Sequence, residues 1–154
     1  MKKLIVAVLL SAVCVAPALA EDSPFYVGAQ ASDGYVGVLG GYQIDKMFSV
    51  EVNYYDFDSI ATPFGSTDIS SIGVAGVAMF PMSFDKVPPF AFFAKLGVER
   101  TSTKTPYWGR KVTDTNLTAG GGAQYSFNKN FSARVGVDVA GEADSLYIAG
   151  IFKF

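Results

Sequence analysis

The chain has 154 residues, 17% of them charged and 50% hydrophobic, with a formal charge of −2 and no histidine. Charge this sparse, against about 25% in an ordinary soluble domain, and weakly acidic in sign, excludes the basic footprint of a nucleic-acid binder. The missing histidine excludes serine–histidine catalysis and any histidine-based metal site, and no G-x-S-x-G elbow occurs, so no catalytic residue, cofactor or metal is expected.

The N-terminus opens with Lys2 and Lys3, followed by an apolar run from Leu4 to Val13 and then Ala-Pro-Ala-Leu-Ala. The run is far shorter than the ~20 residues of a spanning helix, and Ala18 and Ala20 satisfy the small-residue rule for cleavage. Residues 1–20 therefore read as an export signal removed before Glu21. Cys14 follows Ser11-Ala12-Val13, which is not a lipid-attachment context. The remaining domain, 21–154, has no cysteine to brace it, and losing Lys2 and Lys3 leaves its acidic excess larger.

Period-two alternation then recurs through the chain. It is weak in Phe25 to Ala31 and Tyr35 to Ile44, where Gly and Ala dilute it, and clear in Phe48 to Tyr54, with Phe, Val, Val, Tyr against Ser, Glu, Asn. Ile69 to Phe80 is weak again. Phe90 to Glu99 sets Phe90, Phe92, Ala94, Leu96 and Val98 against Ala91, Phe93, Lys95, Gly97 and Glu99. Leu117 to Tyr125, Phe131 to Val139 and Leu146 to Phe154 complete a set of eight strands, most of about nine to eleven residues, enough for a tilted strand to cross hydrocarbon. Short turns at Asp45-Lys46 and Phe127 to Asn130 alternate with longer polar loops at Asp58 to Thr67 and Thr101 to Thr113. Ser32-Asp33-Gly34 is short for an outer loop, and the turn holding Pro81, Pro88 and Pro89 is long for a periplasmic one.

Alternation does not say which face looks outward; composition does. A soluble exterior would be roughly a quarter to a third charged, whereas the polar face here is mostly Gly, Ser, Ala, Thr, Asn, Gln and Tyr. Small polar residues suit the interior of a narrow barrel. The other face is almost free of charge at mid-strand, as hydrocarbon demands. Closing the sheet satisfies every backbone group in lipid. The fold expected is an all-β, eight-stranded antiparallel up-and-down transmembrane barrel in a bacterial outer membrane.

Gly40-Gly41-Tyr42-Gln43-Ile44, a tight turn and Phe48 to Tyr54 resemble a hairpin of the OmpA-like small outer-membrane β-barrel proteins. Ala94 to Val98 and Gly120 to Tyr125 are similar to that family's fifth and sixth strands, and Asn130 to Val135 to its strand with an inward arginine. Phe152-Lys153-Phe154 resembles the terminal aromatic signal read by the outer-membrane assembly machinery. The resemblance implies contact with that machinery and with periplasmic chaperones through Phe152 and Phe154, and residence in outer-membrane lipid and lipopolysaccharide.

The polar face supplies an interior charge cluster of Glu51, Lys95, Glu99, Arg134 and Asp138. Buried in a lumen, such groups must pair. A fixed plug fits the narrow bore; the resemblance implies an alternative, an ionic gate formed by Glu51, Lys95 and Arg134. Lys104, Tyr107, Trp108, Arg110 and Lys111 set cations beside aromatics in one outer loop, a pattern for lipopolysaccharide or another surface ligand. Asp56, Asp58 and Asp68 lack calcium-loop spacing. The expected function is a structural or surface-contact barrel touching lipopolysaccharide or a host, with a low-conductance pore as the alternative and a soluble periplasmic ligand-binding barrel third.

Overall fold

The computed structural model describes residues 23–62, 65–82, 90–104, 111–141 and 143–154 and, within these, every side chain but those of 58–62, 65–68, 104, 111 and 143. The expected signal segment, with Ala18 and Ala20, lies outside the described residues. Eight strands follow in order: β1 (Phe25–Ser32), β2 (Tyr35–Gln43), β3 (Phe48–Thr62), β4 (Gly65–Met82), β5 (Phe90–Lys104), β6 (Lys111–Ser126), β7 (Phe131–Ala140) and β8 (Ala143–Lys153). Each pairs antiparallel with the next, and β8 pairs with β1 to close the barrel. The Phe154 N–H donates to the Phe25 carbonyl at 3.3 Å, so the strand wall begins and ends at one rim, here the terminal rim.

The turns are set by local chemistry. At the terminal rim the Asp45 carboxylate accepts from the N–H groups of Met47 and Phe48, both at 2.7 Å. Asn128 does the same for Asn130 and Phe131 at 2.9 and 2.7 Å. At the far rim β1 turns into β2 through Asp33-Gly34 alone, which requires the left-handed backbone that Gly34 adopts at φ +102°.

Strand length departs most from expectation. β3, β4, β5 and β6 run 15, 18, 15 and 16 residues. Much of the expected loop Asp58 to Thr67 is strand, and Thr101 to Thr113 holds the ends of β5 and β6, paired up to Lys104↔Lys111. Hydrophobic alternation reports a difference between the two faces. Beyond the lipid-facing band both faces are polar, so the alternation stops while the ladder continues through Thr101, Thr103, Thr113 and Thr115, residues that favour strands. A register shift between Phe57 and Ile60 marks where the β3–β4 hairpin leaves the regular wall.

Val52, Leu96, Leu117, Val137, Leu146 and Ile148 are exposed on the outside of the barrel. Near the terminal rim the exposed set turns aromatic, with Phe25, Tyr42, Phe48, Phe80, Phe127 and Phe131. An apolar band ending in an aromatic girdle is what a lipid-embedded wall presents.

The lumen is bulkier than small polar residues would make it. Tyr26, Leu39, Tyr55, Val77, Phe93, Tyr147 and Ile151 are all buried in it. Inward glycines make the room. A Cβ on Gly41 would lie 2.0 Å from the Tyr26 ring, and Cβ atoms on Gly122 and Gly136 would lie 3.0 and 2.7 Å from the Phe93 ring. The small residues that dilute the polar face in the sequence are thus seats for rings on neighbouring or facing strands. Each large side chain so buried contributes about 1.5–3 kcal/mol.

Candidate functional site

The residues that face inward at mid-height form the site. β3 carries Glu51 and Asn53, β5 carries Phe93, Lys95 and Glu99, β7 carries Arg134 and Asp138, and β8 carries Tyr147; alternation puts all of them on one face.

Four of the five expected cluster residues form two separate ion pairs. Arg134 Nη1 donates to Glu51 Oε1 at 2.7 Å, joining β7 to β3 across the bore. Glu51 is 0% exposed and Arg134 is 4% exposed. The same Glu51 oxygen accepts from the Tyr26 hydroxyl at 2.8 Å, which also reaches Ser49 at 3.0 Å. The other edge of the guanidinium donates to Gln124 Oε1 from Nε and Nη2, at 3.2 and 3.1 Å. Its Cζ lies over the Phe93 ring, 4.6 Å from the ring centre. A fully buried guanidinium thus meets a carboxylate, an amide oxygen and a ring face, the satisfied geometry that a desolvated charge requires.

The second pair lies nearer the far rim. Lys95 Nζ donates to Asp138 Oδ2 at 2.5 Å and lies 5.3 Å from the centre of the Tyr147 ring. Asp138 sits opposite Gly120, where a side chain would collide with its carboxylate. Glu99, the fifth expected member, accepts from the Ser71 hydroxyl at 2.6 Å. Asn53, Lys95, Glu99, Thr118 and Asp138 line a cavity of about 10 Å³. That is roughly the size of one water molecule and too small for a ligand.

Of Glu51, Glu99 and Asp138, the three carboxylates of the cluster, Arg134 meets one. Among the carboxylates Arg134 bonds only Glu51, while Asp138 pairs with Lys95 and Glu99 with Ser71. The reason is register: Arg134 is level with Gln124 and Ala91, Asp138 with Gly120 and Lys95, and Glu99 with Asn116, beyond the end of β7. Tyr26, Gln124, Phe93 and Tyr147 were not among the expected cluster. Each lies on an inward-facing position, the signal that marked them, but their partners sit on other strands.

Tyr107, Trp108 and Arg110 lie outside the described residues. Lys104 and Lys111 face each other as the last register pair of the β5–β6 hairpin. Phe152 in β8 and Phe154 just beyond it meet edge to face, with ring centres 5.5 Å apart. Among the described residues no cluster of His, Cys, Asp or Glu is arranged to hold a metal ion.

Comparison with known proteins places this geometry. The outer membrane protein beta-barrel domain family matches residues 5–145. No curated protein matches the chain. Its fold is similar to the N-terminal β-barrel domain of Pseudomonas aeruginosa OprF (TM-score 0.62, 13% identity, 87% of this chain and 100% of that one). It is similar to Neisserial surface protein A (TM-score 0.56, 19% identity, 86% and 98%). It is also similar to the Yersinia pestis outer membrane protein Ail in a phospholipid nanodisc (TM-score 0.56, 11% identity, 86% and 100%). The chain belongs to the outer membrane protein beta-barrel domain family and is an eight-stranded barrel of the bacterial outer membrane.

Proposed function

We propose that the protein is a closed, non-catalytic outer-membrane barrel that works by structural support and by contact at its far rim. The observation that carries this reading is the buried Arg134–Glu51 bridge across the bore, flanked by Phe93, Tyr26 and Gln124 and followed by the Lys95–Asp138 pair. An eight-stranded bore is just wide enough for its own side chains, and here they meet from opposite walls. A bore filled in this way favours a plug over a conducting path.

The far rim faces outside the cell in this reading, and the terminal rim faces the periplasm after removal of residues 1–20. Lys104 and Lys111 are then the last described pair of the β5–β6 hairpin on that side, and together with Tyr107, Trp108 and Arg110, which lie between them in the sequence, they supply cations and rings that suit lipopolysaccharide phosphates and headgroups or a host surface. Phe152 and Phe154 lie on the periplasmic side, where the assembly machinery and chaperones act.

Planar-bilayer recording of the purified chain tests the proposal. No single-channel steps are expected from the wild type. Steps that Glu51→Gln or Arg134→Met alters in size would replace the plug with a low-conductance pore.

A further inference from the structure

The lipid-facing wall carries a groove over β5 to β8. Across these strands the outward residues fall into level rows, among them Phe92–Ala123–Val135 and Ala94–Gly121–Val137–Leu146. On β6 the members of both rows are small, so the wall sinks there between larger neighbours. The groove measures about 450 Å³, with Gly121 and Ala123 as its floor and Phe92, Val135, Val137 and Leu146 around it. The wall beneath is thin. Gly122 pairs with Gly136, and the Phe93 ring fills the space their side chains would take. The groove therefore reaches Phe93 from outside.

The lining narrows the occupant. Every side chain around the groove is apolar, and the backbone beneath is paired from β5 through β8. An extended peptide would bring N–H and C=O groups into hydrocarbon without partners. The flanking strands β5 and β7 stand two strand spacings apart, about 10 Å. A helix, about 10–12 Å across with its side chains, is too wide for the space between theirs. A second copy does not fit either. Wall strands tilt about 35–45° from the barrel axis, so the facing strands of two upright barrels cross at about twice that angle. No ridge of one barrel then runs along the groove of the other. A single hydrocarbon chain needs no polar partner and bends to follow the groove.

Charge places the headgroup of such a chain. Lys129 is exposed in the turn from β6 to β7, at the terminal end of the groove, in a turn flanked by the Phe127 and Phe131 rings. At the other end Asp144 is exposed on β8 opposite Val139, one outward position beyond Leu146. A cation at one end and a carboxylate at the other favour a phosphate on the terminal side. The depth agrees. Phe131 to Val137 is six residues of β7, about 20 Å of strand. At the wall's tilt this covers about 15 Å of depth, half of the ~30 Å hydrocarbon layer. A chain anchored at the terminal rim therefore ends at Val137.

We propose that this groove seats one acyl chain of a phospholipid from the periplasmic leaflet, with the lipid's phosphate at Lys129. The proposal takes from the function above only the orientation of the terminal rim. A lipopolysaccharide chain, anchored at the far rim, would have to pass the Asp144 carboxylate. The seated chain backs the Gly122–Gly136 window, behind which the Phe93 ring faces Arg134. Lipid thus completes from outside the packing that holds the buried guanidinium in place.

The test uses the full mature chain in phosphatidylcholine nanodiscs that hold a small share of phosphatidylglycerol, spin-labelled near its chain end. Methyl relaxation compares Val135 and Val137 with Val52 and Val74, which face lipid on β3 and β4 at the same distances from the aromatic girdle. Enhancement at the first two is expected to be at least threefold that at the others. Ala123→Leu fills the groove and should remove this excess, whereas Ala29→Leu adds the same bulk on the exposed face of β1 and should leave it. Lys129→Gln should at least halve it. All three variants should fold, shown by heat-modifiable mobility. Equal enhancement at the four valines would mean annular lipid only and would overturn the proposal. An excess that survives Ala123→Leu or is untouched by Lys129→Gln would overturn it as well. Unlabelled phosphatidylglycerol should erase the excess; stronger displacement by lipid A would give the groove to the other leaflet, and dimers that Ala123→Leu dissociates would give it to a second copy, either result overturning the assignment. Conduction by wild-type barrels that keep the excess would overturn the closed-barrel function and leave the lipid site standing, since the groove lies on the other side of the wall.

Discussion

Removing one partner of the Arg134–Glu51 bridge gives the sharpest test of the lumen. In Arg134→Ala the Glu51 carboxylate, 0% exposed, keeps only its bond from the Tyr26 hydroxyl. Stranding a buried charge costs about 3–5 kcal/mol, or two to three and a half orders of magnitude in the folding equilibrium. Glu51→Ala strands the guanidinium instead, although Gln124 and the Phe93 ring still face it, so its cost should fall at the lower end. Glu51→Gln combined with Arg134→Met leaves no charge and nearly the same volume. That double variant should sit within about 1–2 kcal/mol of wild type, since apolar replacement of a buried pair is often close to neutral. Urea unfolding in lipid vesicles, followed by the gel shift between folded and unfolded barrel, measures all four proteins. With the matching singles Glu51→Gln and Arg134→Met measured alongside, losses that simply add in the double variant would refute the bridge as a coupled unit.

Val52→Arg and Val137→Arg, which place a charge on the exposed apolar wall, should each cost about 2–4 kcal/mol near mid-membrane in the same unfolding assay, whereas Ser132→Thr should stay within about 0.5 kcal/mol. Equal tolerance at the three positions would contradict a lipid-facing band. Gly41→Ala should displace the Tyr26 ring and cost about 1–3 kcal/mol of overpacking, and Gly40→Ala, which meets nothing within 4 Å, should be far milder. Deleting Phe154 should lower the yield of heat-modifiable barrel in cells, and undiminished assembly would remove its role as a signal. Mature protein sequenced from its N-terminus should start at Glu21; material that retains Leu4 to Val13 would refute the export segment.

Much of the fold was legible because a membrane wall gives each strand two unlike faces. Phe48 to Tyr54 and Phe131 to Val139 alternate so cleanly that strand, face and membrane band follow from one pattern. β4 was harder, since Gly73, Ala75, Gly76 and Ala78 put small residues on both faces. The far ends of β3 to β6 carry a loop-like sequence for a related reason. Pairing there is carried by the backbone, and hydropathy registers only what the side chains meet.

The lumen was half legible for a different reason. Period two tells which face a residue occupies, and so Glu51, Lys95, Glu99, Arg134 and Asp138 were found together as inward charges. It does not tell which residue waits on the opposite wall. Glu51 and Arg134 are 83 positions apart, and what brings them level is the number of strands and their stagger, a property of closure that no local window contains. The same holds for the rings. In the sequence Gly41 only dilutes a weak strand; in the barrel its register partner is Tyr26, whose ring needs that space to bring its hydroxyl to Glu51. A glycine on β2 and a tyrosine on β1 thus belong to the charge site as much as the arginine does. For that reason Gly41→Ala, which touches no charge, should loosen the Arg134–Glu51 bridge, and the loss should shrink when Tyr26 is cut back to Ala in the same chain. A Gly41→Ala cost that is unchanged in the Tyr26→Ala background would sever the link between the glycine seat and the charge site.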